Sequence, residues 1–189
     1  MSGPEIVAIA AGSALLGIAA GYWLPPHGRV SRRDRPRPVR RILLPFTGEA
    51  ISRRSFEASV RLAKAENAIV MPAFLAIVPM DLPPEAPLPL QCGQGMALVE
   101  TVEQRLASQG IAVDSRVGRG RSARDALRSI LDQEHVDRII VSADEDRHTG
   151  LGYDDLRWLL EHVPAEILIL RPAPEDTRRI SVTALDENL

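Results

Sequence analysis

The chain has 189 residues, of which 45% are hydrophobic and 25% are charged, and its formal net charge is −2. Its single cysteine, Cys92, excludes an internal disulfide and is compatible with a reducing cytosol. Residues 25–41 carry seven arginines against Asp34, whereas the 148 residues that follow carry a formal charge of −7, which disfavours nucleic-acid binding by that part.

The first recognisable element is a charge-free apolar run at residues 6–24, IVAIAAGSALLGIAAGYWL, which follows the short segment 1–5. Nineteen helical residues span about 28 Å, close to the hydrocarbon thickness of a bilayer. Glycines on a small-residue background, with Tyr22 and Trp23 at one end, are typical of membrane helices. We therefore predict one transmembrane helix. The alternatives are a cleaved secretory signal, which would need positive charge where the chain reads MSGPE, and a buried soluble helix.

An Arg/Pro-rich juxtamembrane spacer is predicted at residues 25–40, and its prolines favour an extended segment. By the positive-inside rule its arginines place the C-terminal domain in the cytoplasm and residues 1–5 outside the inner membrane. Anionic lipid headgroups or nucleic acid are alternative partners, but the cluster has no aromatic residue for base stacking. The membrane-flanking arginines are Arg29, Arg32, Arg33, Arg35, Arg37, Arg40 and Arg41.

Apolar runs predict five strands, at residues 41–45, 68–78, 111–117, 137–143 and 166–170. Pro72 is expected to limit the start of the second strand, and the weakly alternating third strand is expected at a sheet edge. The run DRIIVSA predicts a central strand.

Helical periodicity predicts four helices between these strands: over 52–66, around Met96–Leu106, after Ser122, and over 156–163. Gly110 is a candidate C-cap, and the Pro-rich segment 79–90 excludes a helix. The alternation predicts an α/β fold, a doubly wound five-stranded parallel sheet spanning residues 41–172. A polar tail without regular structure is expected at 173–189.

At this point the sequence resembles a universal stress protein domain over about residues 40–172. The resemblance rests on RRILLPFTGE as the first strand and turn, VGRGRSARDAL before the third helix, DRIIVSA as the fourth strand and PAEILILRP as the last. It implies a five-stranded parallel α/β fold and frequent pairing of two copies through the last strand. It also implies one of two types, nucleotide-binding or non-binding.

The sequence departs from the nucleotide-binding pattern that the resemblance implies. That pattern has an aspartate just after the first strand, where this chain has Thr47. After the fourth strand it has a glycine, two residues, a glycine, nine residues, and a glycine followed by Ser or Thr. Ser142 and Glu145 stand in the first two positions, while Gly152 can stand for the third but comes too early and precedes Tyr153.

The carboxylates Asp144, Glu145 and Asp146 lie where a triphosphate would sit and would repel it without a bridging metal. We therefore predict no cofactor, with Mg-ATP binding at a diverged site as the alternative. Ligands of open α/β sheets bind at the carboxyl ends of the strands around the switch point. The ligand-crevice candidates there are Thr47, Gly48, Glu49, Ser142, Asp144 and Asp146.

A divalent cation held by Glu49, Asp144 and Asp146, with His148 as a further ligand, is one hypothesis for this crevice, because hard cations take carboxylate oxygens. A hydrated acidic loop is the alternative. A second candidate is an anion-binding turn before the third helix, with a glycine turn plus N-cap as the alternative. Its residues are Gly118, Arg119, Gly120, Arg121 and Ser122.

No Ser–His–Asp, Cys–His or metalloprotease arrangement is present in the sequence, so we predict no catalytic residue, with weak nucleotide hydrolysis as the alternative. Trp158 and His162, one helical turn apart, indicate packing. The prediction is a membrane-tethered cytoplasmic stress-protein-like regulatory or interaction module, a homodimer or a partner of a membrane protein. Alternatives are a divergent nucleotide-binding stress protein and an accessory subunit of a transporter or other membrane complex.

Overall fold

The computed structural model describes residues 40–48, 50–143, 150–171 and, for the backbone, 179–181. The predicted transmembrane helix (6–24), residues 1–5, the spacer up to residue 39, Glu49, residues 144–149 and the rest of the tail lie outside the described residues. Within the described part of the chain, no helix combines the length and apolarity that crossing a bilayer requires.

The predicted α/β class is confirmed by a five-stranded parallel sheet. Its strands are β1 (Arg41–Phe46), β3 (Ile69–Ile77), β4 (Arg116–Gly120), β5 (Arg138–Ser142) and β6 (Glu166–Leu170). They lie in the order β4-β3-β1-β5-β6, so the chain runs outward from β1 to one edge and then returns to place β5 and β6 on the other side. The switch point therefore lies between β1 and β5.

Helices cover both faces of this sheet, as doubly wound topology requires. On one face, α1 (Arg53–Glu66) and α2 (Pro89–Ala107) enclose a core that contains Ile42, Phe46 and Phe74. On the other face, α3 (Ala123–Leu131) and α4 (Tyr153–His162) pack over Leu43 and Ile139. Successive residues of β1 therefore supply opposite cores, which explains why this strand is apolar throughout.

The position of Pro72 within β3 shows that two predictions were wrong, the start of β3 and the extent of β4. Pro72 was expected to limit the start of this strand, but it lies within β3 opposite Leu44 of β1. Val70 donates to the Ala112 oxygen and accepts from Asp114 N–H, so Pro72, two residues on, faces the same neighbour without an N–H. The regular ladder with β4 therefore begins at Arg116, and of the predicted strand 111–117 only residues 116–117 lie in β4, while residues 111–115 contribute one isolated bridge, Val70↔Val113.

Two boundary predictions around α2 are also wrong. The helix begins at Pro89, inside the segment that was expected to exclude a helix, because proline at the first turn lacks an N–H that the helix does not use. The helix ends at Ala107 with Ser108 as its C-cap, and Gly110 lies two residues beyond with φ of 74°. Gly110 thus provides the left-handed residue at which the chain reverses toward Ile111.

A small antiparallel sheet was not predicted. It pairs β2 (Ala50–Ser52) with β7 (Arg179–Ser181), so the expectation of a wholly irregular tail from residue 173 is wrong for these three residues. Ile51 is buried in the core beside α1, which anchors β2. Strands of three residues are too short for an alternating pattern to be recognised in the sequence.

Candidate functional site

The switch point brings together the described part of the predicted ligand crevice. Thr47 and Gly48 directly follow β1, and Ser142 ends the neighbouring strand β5. Carboxyl ends of adjacent parallel strands lie at one edge of a sheet, so these three residues share that edge. Glu49, Asp144, Asp146 and His148 lie outside the described residues, and the cation site that they would form stays a prediction.

Pro45 separates β1 from β5 at this edge. The pairing of β1 with β3 covers six residue pairs, whereas its pairing with β5 covers two, Ile42↔Arg138 and Leu43↔Ile139. The Arg41 oxygen accepts from Asp137 N–H, so odd-numbered residues of β1 face β5, and Pro45 is one of them. Without an N–H, Pro45 cannot extend this ladder.

The backbone of Gly150 and Leu151 lies against the end of β5 on the side that faces β1. Leu151 donates its N–H to the Ser142 oxygen at 2.9 Å. A Cβ at position 150 would overlap that same oxygen, so this close approach requires glycine. The sequence comparison had selected Gly152, which instead forms the N-cap position of α4. Gly150 was missed because the motif spacing favours Gly152, which lies nearer the expected distance from Glu145, and because the contact of Gly150 with Ser142 exists only in the folded chain.

A phosphate cradle needs backbone amides that are free to turn toward the ligand. In the described residues after Ser142, Ala143 donates its N–H to the Leu170 oxygen at 2.9 Å, and Leu151 donates to Ser142. Two amides at this edge are thus engaged within the protein. In the described part of the chain, no group of three or more His, Cys, Asp or Glu side chains is placed to hold a metal ion.

The glycines of the predicted anion-binding turn serve helix packing. A Cβ at Gly118 would overlap the Ala126 oxygen of α3, and one at Gly120 would overlap the Ala126 nitrogen. Both glycines therefore let α3 lie close to β4. Ser122 caps α3 by accepting from Asp125 N–H at 3.1 Å, as the alternative interpretation of a glycine turn plus N-cap expects.

The arginines of the same turn bind the Pro-rich segment. Arg119 donates to the oxygens of Pro84, at 3.2 Å, and Ala86, at 2.6 Å. Arg121 donates to the oxygens of Pro79 and Val78. The segment between β3 and α2 is therefore held to the end of β4 by two cations. The five residues predicted to bind an anion do lie together. In the described part of the chain, however, they contact other protein atoms: the two glycines pack against α3, the two arginines bind backbone carbonyls, and Ser122 caps α3.

An ion-pair cluster at the opposite, amino end of the sheet was not predicted. Arg138 is 8% exposed and binds both Glu66, at 2.8 Å, and Glu166, at 2.5 Å. The hydrogen bond from Arg138 holds the pKa of Glu66 below its ordinary value of 4.5. Hydrogen bonds to Glu166 and Glu66 raise the pKa of Arg138.

Two arginines that were assigned to the membrane flank form ion pairs at this end of the sheet, Arg40 within this cluster and Arg41 in a second group. Arg40 pairs with Glu66 at 2.8 Å, and Arg41 pairs with Asp114 and, at 3.1 Å, with Glu134. Both residues thus have carboxylate partners within the folded domain. The assignment of the other five arginines to the membrane flank lies outside the described residues.

Asp114 and Glu134 also bind Arg116, so Arg41 and Arg116 form a second ion-pair group at the amino ends of β1 and β4. Burial acts to raise the pKa of Asp114, but the hydrogen bond and charge of Arg116 outweigh it, so this pKa lies below its ordinary value of 3.8. The sequence contains no local signal for these pairs, because their members come from separate strands and loops.

Trp158 and His162 pack as expected. Trp158 is 7% exposed, its ring stacks on His162 with centroids 5.7 Å apart, and the Arg128 guanidinium lies 5.1 Å from its ring centroid. These contacts join α3 to α4 and place no reactive pair of groups together.

The comparisons with known proteins concern the fold. No protein-family model and no curated protein matches the sequence. Among solved structures, a universal stress protein family member from Burkholderia pseudomallei is 17% identical with a TM-score of 0.52, covering 69% of this chain and 94% of its own. Universal stress protein UspA from Lactobacillus plantarum is 14% identical with a TM-score of 0.52, covering 70% and 97%.

A universal stress protein family protein from Arabidopsis thaliana, solved with AMP bound, is 10% identical with a TM-score of 0.53 and covers 74% of this chain and 95% of its own. Each structure is matched over nearly its whole length, so the likeness covers a complete domain. The described domain therefore has the fold of universal stress proteins.

Proposed function

We propose that this chain is a membrane-tethered, cytoplasmic, non-catalytic regulatory or interaction module, without conventional ATP binding, built on a universal-stress-protein fold. Tethering would concentrate the domain near a membrane partner without any new contact. The apolar run 6–24 and the arginines after it support the tether.

The observation that carries the absence of conventional ATP binding is the engagement of the Leu151 amide at the switch point. Leu151 donates to the Ser142 oxygen on the side of β5 that faces β1, where a phosphate cradle would need free N–H groups, while Ala143 donates on the other side to Leu170 of β6. The carboxylates at 144–146 add charge of the same sign as a triphosphate.

Calorimetric titration of ATP into the full-length chain in mild detergent, with and without Mg²⁺, tests this part of the proposal. We expect no heat of binding at high micromolar protein. Saturable binding that requires Mg²⁺ would contradict it. Loss of that binding in an Asp144→Asn/Asp146→Asn variant would then assign these carboxylates to a metal bridge.

The tether and its orientation are tested by C-terminal fusions. We expect a C-terminal green fluorescent protein fusion to fluoresce at the membrane and a C-terminal alkaline phosphatase fusion to be inactive. An active phosphatase would contradict the cytoplasmic placement. The intact mass of the membrane-extracted chain distinguishes the tether from a cleaved signal, which would shorten the chain.

Pairing through β6 is part of the proposal. β6 is an edge strand of half-buried aliphatic residues, and Ile169 is 37% exposed, so its free edge and apolar surface suit a second copy of the chain. We expect light scattering to show a dimer that Ile169→Arg converts to monomer. Val117→Arg is the matched control, because Val117 is 45% exposed on the opposite edge strand, β4. A monomeric wild-type chain would remove this part of the proposal.

A divergent nucleotide-binding protein is the second candidate. The observation in its favour is that a protein of the same fold was solved with AMP bound. The ATP titration separates it from the first. An accessory subunit of a membrane complex is the third candidate, and stoichiometric co-purification of one membrane protein in mild detergent would favour it.

A further inference from the structure

A cavity of about 420 Å³ lies at the carboxyl ends of β3 and β4, beneath the Pro-rich segment and apart from the switch point. Its size falls within the range of small-molecule sites. Its wall combines an apolar part with two guanidinium groups. The lining residues are Val78, Pro84, Glu85, Arg119, Gly120 and Arg121.

The two arginines have neutral partners. Within the described residues, Arg119 and Arg121 donate to backbone carbonyls, and neither forms an ion pair. Most arginines at the amino end of the sheet bind carboxylates instead, as Arg138 does. A phosphate can bind a guanidinium through two parallel hydrogen bonds and adds the attraction of opposite charges, which a neutral carbonyl does not supply. An anion that reaches this cavity would therefore compete well with the carbonyls.

We propose that this cavity binds a small phosphorylated compound, with its phosphate between Arg119 and Arg121 and its apolar portion against Val78 and Pro84. A guanidinium presents a planar fork that matches phosphate oxygens bidentately. Glu85 supplies the opposing charge, so the lining side chains carry two positive charges and one negative charge. This site is independent of nucleotide binding at the switch point and of the membrane tether.

Occupancy of the cavity would change how the Pro-rich segment is held. Arg121 holds the start of the segment at Val78 and Pro79, and Arg119 holds its later part at Pro84 and Ala86. Short turns supply its internal backbone bonds, such as Ala86 N–H to the Pro83 oxygen at 3.0 Å. A phosphate that engages both arginines would replace these attachments, and the ligand would then join the segment to the end of β4 through its contact with Pro84. The ligand would thus help to hold the segment that carries Met80, which is 80% exposed.

Calorimetric titration of phenyl phosphate into the full-length chain in mild detergent tests the site, at a pH above 7 where the phosphate is a dianion. We expect saturable one-to-one binding, with phenol and inorganic phosphate each binding more weakly because each lacks one half of the ligand. No binding of phenyl phosphate at millimolar concentration would overturn the proposal. Equal affinity for phenyl phosphate and inorganic phosphate would overturn the role of Val78 and Pro84.

Four variants locate the binding. Arg119→Gln and Arg121→Gln should each weaken it by about tenfold, whereas Arg61→Gln, an equal charge change on the exposed face of α1, should leave it unchanged. Glu85→Gln should strengthen binding several-fold, and this gain remains informative if an arginine variant folds poorly. Equal losses in Arg61→Gln and Arg119→Gln would show general charge attraction and overturn the site.

Hydrogen exchange detected by mass spectrometry tests the contact with the segment. Phenyl phosphate should slow exchange in peptides that cover residues 79–92 and leave β5 unchanged, because the bound ligand contacts Pro84. Arg119→Gln without ligand should speed exchange in the same peptides, since it removes the bonds to Pro84 and Ala86. Binding with unchanged or faster exchange there would overturn the contact between the ligand and the segment.

Discussion

The two ends of the parallel sheet differ in how their charged groups are partnered. At the amino end, Arg41 and Arg138 each bind two carboxylates from distant parts of the chain. At the carboxyl end, Arg119 and Arg121 bind neutral carbonyls, and proline interrupts the ladder between β1 and β5. The difference teaches that charge at the amino end serves the stability of the domain, whereas charge at the carboxyl end remains available for a ligand.

The largest expected change in the free energy of unfolding comes from the carboxyl end of the sheet. It tests whether this end is closely packed although the pairing of β1 with β5 stops early. Gly150→Ala should lower the free energy of unfolding by about 3 kcal/mol, because its Cβ would overlap the Ser142 oxygen. Urea unfolding of the full-length chain in mild detergent measures this change. Gly93→Ala is the control: nothing lies within 4 Å of that Cβ, and alanine favours a helix, so stability should rise by up to about 1 kcal/mol. A similar gain in both variants would show that the contact at Gly150 is not needed.

The next effect tests the amino end. Arg138→Met should lower the free energy of unfolding by about 2 kcal/mol, because it leaves Glu66 and Glu166 without their shared cation. The value is below that of a fully buried pair since Glu166 is largely exposed. Arg53→Met, which breaks an exposed pair with Glu57, should cost about 0.5 kcal/mol or less. Equal losses from the two substitutions, measured by urea unfolding, would remove the distinction between this cluster and ordinary surface pairs.

Lowering the pH should weaken the ion pairs at the amino end of the sheet. The pKa values of Glu66 and Asp114 lie below their ordinary values of 4.5 and 3.8. Their contribution to stability is therefore fully present above these ordinary values and is lost as the pH falls through the lower values of the folded state. Thermal unfolding from pH 6 to pH 3 should show a falling midpoint, and Glu66→Gln should reduce the slope below about pH 4.5. An unchanged slope in Glu66→Gln would contradict the assignment of this effect to the Arg138 pair.

The smallest effect concerns a local hydrogen bond at the carboxyl end. Ser122→Ala should lower the free energy of unfolding by about 1 kcal/mol, because Asp125 N–H at the start of α3 loses its acceptor. Ser108→Ala is the control, since its hydroxyl donates to an exposed carbonyl at the end of α2 and satisfies no helix amide. Urea unfolding distinguishes the two, and equal small losses would show that the cap at Ser122 contributes no more than an exposed hydroxyl.

The elements and class of the fold were predictable because hydrophobic periodicity is a local property. The runs at 41–45 and 166–170 predicted strands that the structure has, and Ser122 predicted the start of α3. The position of Pro72 was wrong because its effect depends on which neighbour its nitrogen faces. The three-residue strand β7 was missed because its partner lies more than 120 residues earlier in the chain.

The sequence by itself determined a doubly wound parallel sheet, an apolar N-terminal run with arginines after it, and an acidic domain. Only the tertiary structure decided what the charged residues bind. The partners of Arg138 lie 28 and 72 residues away in the sequence, and no pattern of neighbouring residues predicts pairs at such separations. The partners of Arg119 and Arg121 are backbone carbonyls, which every residue has, so no sequence motif could have revealed them.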